Sequence, residues 1–300
     1  MYDILIIGGG PAGLTAATYA CRAGKRVLVL EKAAFGGQIT WSPRVENFPG
    51  FVSISGNELG DKLLEQAMEQ GAEVELEEVA GLEKTGEIWT ARCDSGAAFE
   101  GRAVILACGA RPRMLGVERE EELVGSGVGY CAVCDGAFYK GKAVAVNGGG
   151  NSALQDALLL SESCSKVYLI HRRDSFRGEQ KLVEALGQRE NVEFVLNASV
   201  TALLGEDELR GVLVEQEGRS REIPVEGLFV AIGHQPDLEA FAPWLRRDKA
   251  GYADSGEDCL TAAEGLFVTG DCRKKTVRQL TTAAADGAVA ALAACRWLDR

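Results

Sequence analysis

Two cysteines stand three positions apart in Tyr130-Cys131-Ala132-Val133-Cys134-Asp135-Gly136. At this spacing two thiols can close a small redox-active disulfide, and thiols so placed often have a lowered pKa. Asp135 follows directly and is a proton donor or acceptor for thiol exchange. The same residues also allow plainer readings: a zinc half-site, two inert buried thiols, or an Asp that only caps a turn. A zinc centre needs four ligands. No second C-x-x-C and no neighbouring histidine supplies them, the chain's two histidines being His171 and His234. No metal site is therefore expected. The other seven cysteines, at 21, 93, 108, 164, 259, 272 and 295, are scattered and read as small buried residues. Nine cysteines, an odd count without a secretory signal, fit a reducing compartment.

A redox pair needs electrons, and two glycine turns offer a way to deliver them. Tyr2–Ile7 is a short apolar run of the kind that forms a buried parallel strand. Gly8, Gly10, Pro11, Ala12 and Gly13 follow as G-x-G-x-x-G, and then helical composition from Leu14 to Ala23. A second strand over 26–30 closes at Glu31. The three glycines serve a tight turn, close backbone approach to a pyrophosphate, and close helix–strand packing. The helix N-terminus presents N–H groups and its positive end to the phosphates. A carboxylate at the strand end accepts hydrogen bonds from a ribose 2′-hydroxyl, so this unit suits FAD or NAD rather than NADP.

The second unit repeats the plan with different chemistry. A strand at 143–146 leads into Gly148, Gly150, Asn151, Ser152 and Ala153, a G-x-G-x-x-A turn. A helix over 154–160 and a strand over 166–170 follow. Here the strand ends in His171-Arg172-Arg173-Asp174, with Arg177 one turn on. Guanidinium forks match phosphate oxygens, which suits the 2′-phosphate of NADPH; the plainer reading is a solvated basic patch. Two dinucleotide sites in one chain imply electron transfer between their cofactors.

The whole chain is consistent with this. Its 300 residues make about two domains. Its formal net charge of −12 argues against nucleic-acid binding. No apolar run approaches the ~20 residues of a membrane-spanning helix, and the N-terminus enters a strand directly rather than a signal peptide. A cytoplasmic protein without membrane attachment is the expectation.

With these motifs in order, the sequence resembles the low-molecular-weight thioredoxin reductases along essentially its whole length. The C-A-V-C-D-G segment precedes the second glycine turn as in that family, and His171 to Arg177 matches its H-R-R-x-x-F-R segment. Gly36-Gly37-Gln38-Ile39-Thr40 and Glu46-Asn47-Phe48-Pro49-Gly50 match its flavin-contacting loops. Gly270-Asp271 and Arg278-Gln279-Leu280 match its G-D and R-Q elements. The resemblance implies an α/β fold of two Rossmann-like dinucleotide-binding domains. The FAD domain would be discontinuous, 1–115 and 245–300, with an NADPH domain at 116–244 carrying the C-x-x-C. It places Gly37, Gln38, Asn47, Gly109, Gly270, Asp271, Arg278, Gln279 and Leu280 at the FAD. Asp271 is expected on the ribityl chain, and Gln279 and Leu280 near the flavin.

The same resemblance implies an activity: NADPH reduces FAD, FAD reduces a Cys131–Cys134 disulfide, and the dithiol reduces thioredoxin or a thioredoxin-like partner. Cys134 would face the flavin, Cys131 would attack the partner, and Asp135 would handle protons. The NADPH domain would rotate between half-reactions, and the protein would be a homodimer. Departures are small: Cys108 stands where the family usually has Thr, Cys272 where it has an aliphatic residue, and Gln155-Asp156 where it often has an acidic pair. Residues 279–298 read as an Ala-rich helix interrupted by Gly287. Flavin reductases with an early cysteine pair and a late His base are disfavoured, because 31–50 holds no Cys and no His follows His234. A dithiol oxidase or ferredoxin-fed relative would not need the second glycine turn and its arginines, and a non-catalytic flavin-binding protein would not need the C-x-x-C-D.

Overall fold

The structure, a computed structural model, describes residues 1–300. The chain forms two compact units, Met1–Arg111 with Gln235–Arg300, and Pro112–His234. The first unit runs β1 (Tyr2–Ile7), α1 (Pro11–Arg22), β2 (Val27–Glu31), α2 (Gly56–Glu69), β3 (Glu73–Leu76), β4 (Val79–Thr85), β5 (Ile88–Cys93), β6 (Ala98–Leu106) and β7 (Ala110–Pro112). The second carries β8 (Val128–Gly129), α3 (Ala132–Asp135), β9 (Ala143–Asn147), α4 (Asn151–Ser161), β10 (Lys166–His171), α5 (Gln180–Gly187), β11 (Val192–Leu196), β12 (Ala198–Leu204), β13 (Gly211–Gln216), β14 (Arg219–Ile223) and β15 (Gly227–Val230). The chain returns through β16 (His234–Pro236), β17 (Leu266–Val268) and α6 (Leu280–Leu298).

In the first unit the sheet order is β3-β2-β1-β6-β5-β4, with β17 also paired to β6. β1, β2, β3, β6 and β17 pair in parallel, whereas β4 and β5 form an antiparallel meander with the start of β6. Parallel strands covered on both faces are apolar throughout rather than alternating, and β1 and β2 are buried along most of their length. Successive side chains still point to opposite faces. Ile4, Ile6, Val27 and Val29 join the alanines of α1 and α6. Leu5, Ile7, Leu28 and Leu30 pack with Trp89, Leu238 and Phe241 on the other face. Burying each such aliphatic side chain contributes about 1.5–3 kcal/mol.

The second unit repeats the order. Its five-stranded sheet runs β11-β10-β9-β15-β8, all parallel, with a separate antiparallel sheet β12-β13-β14. Val144 and Val146 face one core, Ala145 the other.

Three local features refine the sequence reading. α1 starts at Pro11, where the fixed φ of proline suits a first helical residue. α4 begins at Asn151, three residues before the apolar run. α6 is continuous over 19 residues, so Gly287 does not interrupt it. Instead, a Cβ at Gly287 would lie 2.2 Å from the Ala12 carbonyl oxygen. The glycine is where α6 crosses α1 at close range. No helix is long and apolar enough to cross a membrane.

Candidate functional site

The first glycine turn joins β1 to α1. Gly8 has φ of 110°, and a Cβ there would lie 2.3 Å from the Ala107 carbonyl oxygen. A Cβ on Gly13 would lie 1.9 Å from Gly8 O, so both positions are closed by the protein's own packing. Gly10 differs: an added Cβ would meet nothing nearer than Gly37 Cα at 3.9 Å. That open space lies against Gly36–Gly37 and above the N-terminus of α1, which no side chain caps. By contrast, Ser55 caps α2 by accepting from the Glu58 N–H. An uncapped helix start beside a vacant glycine face is what a pyrophosphate needs.

Glu31 is fixed to this turn. The Gly9 N–H donates to Glu31 Oε2 at 2.7 Å, and the Ala33 N–H donates to Oε1 at 3.0 Å. Further chain segments converge here. Gln38 Nε2 donates to the Ala110 carbonyl at 3.0 Å, beside Gly109. A Cβ on Gly270 would lie 2.8 Å from Ala12 Cβ, which brings the Gly270–Cys272 turn against the start of α1. Thr269 Oγ1, fully buried, has no hydrogen-bond partner there. The residues present therefore fit an FAD: an anion-ready turn, a carboxylate held at the strand end beside it and an unsatisfied hydroxyl.

The C-terminal residues expected at the flavin make different contacts within the protein. Gln279 is the N-cap of α6, its side chain engaged in a capping box with Thr282, and Asn47 Nδ2 donates to its Oε1 at 3.4 Å. Arg278 turns to the loop rather than outward. It donates to the carbonyls of Asp271 and Arg273 and stacks on Tyr252 at 3.9 Å. Leu280 packs against the buried cluster of Val45, Ile54 and Leu59, as do Ile39, Phe48 and Phe51.

The second glycine turn joins β9 to α4. Gly148 is closed by Ala231, but a Cβ on Gly150 would meet nothing within 4 Å, and α4 too starts without a side-chain cap. The His171 ring lies under Gly149, where a Cβ would come within 2.2 Å of it. His171 stacks on Phe176 at 5.5 Å. Its Nε2 is buried without a partner, and burial together with Arg177, Arg173 and Arg172 lowers its pKa. The N–H groups of Arg177 and Gly178 donate to Gly149 O, and Asn151 exchanges two hydrogen bonds with Glu179. The arginine loop is thereby tied to the turn. Arg172, Arg173 and Arg177 are exposed, and none forms a salt bridge with a carboxylate. In a chain of net charge −12, three cations left unpaired beside an open glycine turn fit a phosphate. Ser152 and Ala153 occupy the first turn of α4, exposed and buried respectively.

Cys131 and Cys134 are joined as a disulfide, with Cys131 half-buried and Cys134 exposed. Cys131 is the N-cap of the one-turn helix α3, where its Sγ accepts from the Cys134 N–H. Burial pushes the Asp135 carboxyl up to about 6. Desolvation penalises the charged form, so this carboxyl keeps its proton up to about pH 6. The thiols of Cys108 and Cys272 are also raised by burial, Cys272 to about 12. Neither is a thiolate near neutrality.

One cluster escaped the sequence reading. Arg273 donates to both carboxylate oxygens of Asp286 at 2.8 and 2.7 Å, and Lys275 Nζ lies 3.0 Å from Asp286 and 3.4 Å from Asp271. Its signal was a single acid, Asp286, in an otherwise Ala-rich helix.

A family model described as pyridine nucleotide-disulphide oxidoreductase matches residues 2–287. The thioredoxin reductase of Treponema pallidum (strain Nichols) is 38% identical over 301 residues, covering 99% of this chain and 97% of that protein. The crystal structure of thioredoxin reductase from Streptococcus pyogenes MGAS5005 superposes with a TM-score of 0.94 at 36% identity, covering 100% of this chain and 98% of its own. The Lactococcus lactis thioredoxin reductase, in a crystal structure titled as the FR conformation, superposes with a TM-score of 0.70 at 35% identity, covering 100% and 99%.

Proposed function

This chain belongs to the thioredoxin reductases of the pyridine nucleotide-disulphide oxidoreductase family, and from that premise we propose how its residues divide the work. It is an FAD- and NADPH-dependent enzyme that reduces the disulfide of thioredoxin. The unit Met1–Arg111 with Gln235–Arg300 holds FAD through Gly8, Gly10, Pro11, Ala12, Gly13, Glu31, Gly37, Gln38, Asn47, Gly109, Gly270 and Asp271. The unit Pro112–His234 holds NADPH through Gly148, Gly150, Asn151, Ser152, Ala153 and the His171–Arg177 loop. The observation that carries this reading is the contrast between the two turns: a carboxylate pinned to the first, and three unpaired arginines tethered to the second.

Bound FAD and NADPH supply the two electrons that open the Cys131–Cys134 disulfide. Opening it to two thiols also takes two protons. Asp135, next to Cys134 and titrating at about 6, delivers one of them. The Cys131 thiolate then attacks the partner's disulfide, forming a mixed disulfide and releasing one partner thiol. Cys134 attacks Cys131 Sγ, restores the intramolecular disulfide and frees the second partner thiol. Asp135 passes the proton of the attacking Cys134 thiol to the departing partner sulfur, as the Cys131 proton goes to the first, so the two protons drawn from solvent on reduction end on the partner's two thiols.

The nucleotide turn and the disulfide both belong to Pro112–His234. They serve one electron carrier in alternation, so this unit rotates about the crossovers β7 and β16 between half-reactions. The spread of TM-scores among relatives of near-equal identity, one of them titled by its conformation, supports family members that adopt more than one arrangement. The partner is thioredoxin or a thioredoxin-like protein, the enzyme a cytoplasmic homodimer.

The test is NADPH oxidation by the purified yellow protein with and without thioredoxin, with NADH as control. Thioredoxin-dependent turnover that prefers NADPH supports the reading. Flavin that stays oxidised under NADPH overturns the donor assignment. A crosslink that locks the two units should stop turnover; full activity when locked overturns the rotation.

A further inference from the structure

The Arg273–Asp286–Lys275–Asp271 cluster has a direction. Side-chain exposure is 7% for Arg273, 10% for Asp286 and 7% for Lys275, but 32% for Asp271. Three members are sealed and the fourth reaches the surface. The charges are two cations and two carboxylates, so the buried cations are fully matched. Asp286 is anchored from several sides: by Arg273 through two hydrogen bonds, by Lys275 through one, and by its place one residue before the Gly287–Ala12 crossing. Arg273 itself also donates to the carbonyls of Gly256 and Lys274. Lys275 Nζ links this anchored pair to the Asp271 carboxylate, four residues earlier in the chain, while Arg278 bridges Arg273 and Asp271 through their backbone carbonyls. Asp271 in turn lies in the Gly270–Cys272 turn, which packs on Ala12 at the start of α1.

We propose that Lys275 is a positioning residue for the FAD site: held by Asp286, its ammonium fixes the Asp271 carboxylate in the orientation that receives the ribityl hydroxyls. The inference rests on the reading of Asp271 as an FAD contact. An ion pair to an immobile cation narrows the orientations open to a carboxylate on a short turn before the ligand arrives. Outer partners that orient a ligating group typically matter about 10–100-fold in affinity. Lys275 never touches the cofactor in this scheme, and its effect passes through Asp271 alone.

FAD released from the holoenzyme on dilution, read by flavin fluorescence, gives the dissociation constant for the wild type, Lys275→Gln, Lys275→Arg, Asp271→Ala and the Lys275→Gln/Asp271→Ala double variant. Melting temperatures of the FAD-free proteins are measured alongside. The expected result is about tenfold weaker FAD binding for Lys275→Gln. Lys275→Arg should restore most of it, and the double variant should be no weaker than Asp271→Ala. Wild-type affinity in Lys275→Gln, with Asp271→Ala weakened, overturns the inference and leaves Asp271 in place. Full additivity in the double variant overturns it too, since Lys275 would then act independently. Wild-type affinity in Asp271→Ala overturns the underlying reading of Asp271 instead. If Lys275→Gln fails to fold, the Lys275→Arg variant decides: wild-type affinity there supports the charge requirement, and a loss equal to that of Asp271→Ala overturns it.

Discussion

The two nucleotide units share one strand order and differ at the end of one strand. In both, an apolar parallel strand leads through a glycine turn into a helix without a side-chain cap, and the middle glycine faces open space. At the end of β2 stands Glu31, bonded to the Gly9 N–H; at the end of β10 stands His171, its ring under Gly149 and three unpaired arginines after it. On the proposed reading, the backbone handles what all dinucleotides have in common, and the residues after the second strand handle the ribose that distinguishes them. The units differ once more in their meanders. In the first, the meander shares β6 with the main sheet; in the second it is a separate sheet. Only the second unit carries the disulfide.

That contrast can be broken in graded steps. Cys131→Ser and Cys134→Ser should each lower thioredoxin reduction on the order of 10⁴-fold. Both nucleotide sites should survive, which FAD content and bleaching of the flavin by NADPH would check. Asp135→Asn should slow disulfide turnover by about 100-fold and remove a titration near pH 6 from its rate profile. The same substitution has a stability signature. The folded pKa of Asp135 lies above its unfolded value, so its contribution is present at low pH and lost as pH rises through about 6. Thermal melts of the wild type and Asp135→Asn should diverge in favour of the variant above pH 6 and converge below pH 4.

Specificity comes next in size. Replacing Arg172, Arg173 and Arg177 together with Ala should raise the KM for NADPH about 100-fold, as expected for lost charge-assisted hydrogen bonds. NADH kinetics and FAD content should not move; an equal loss with NADH would make the arginines structural. The smallest effect separates the two turns directly. A methyl group at Gly10 or Gly150 meets no protein atom nearer than 3.9 Å, so apo stability should hold. Gly10→Ala should weaken FAD about tenfold, and Gly150→Ala should raise the NADPH KM by about the same factor. Crossed effects would erase the assignment of one nucleotide to each unit.

Both glycine turns and the cysteine pair were legible because their chemistry is local. Continuous apolar runs announce parallel strands, and a G-x-G turn announces itself within six residues. Where the outcome depended on distant segments, the sequence was silent or misleading. Gly287 looked like a break in α6 because its partner, the Ala12 carbonyl, lies 275 positions away in the chain. The contacts of Arg278 to the Asp271 and Arg273 carbonyls and the Tyr252 ring join it to the preceding loops, and its motif gave no sign of them. The Lys275 cluster joins a loop to a helix face and has no period or spacing of its own.

The crossovers have a consequence for how such a molecule is assembled from parts. β7 and β16 pair as a two-stranded sheet, and the Arg113 N–H donates to Gly233 O at 2.9 Å. The points where the second unit departs from the first and returns to it are thus neighbours. An insertion whose ends already meet can be cut out and closed with a short hairpin, leaving the remaining chain uninterrupted. The second unit is in that sense a cassette, and a gene lacking codons 113–233 would still encode every strand of the first unit's sheet.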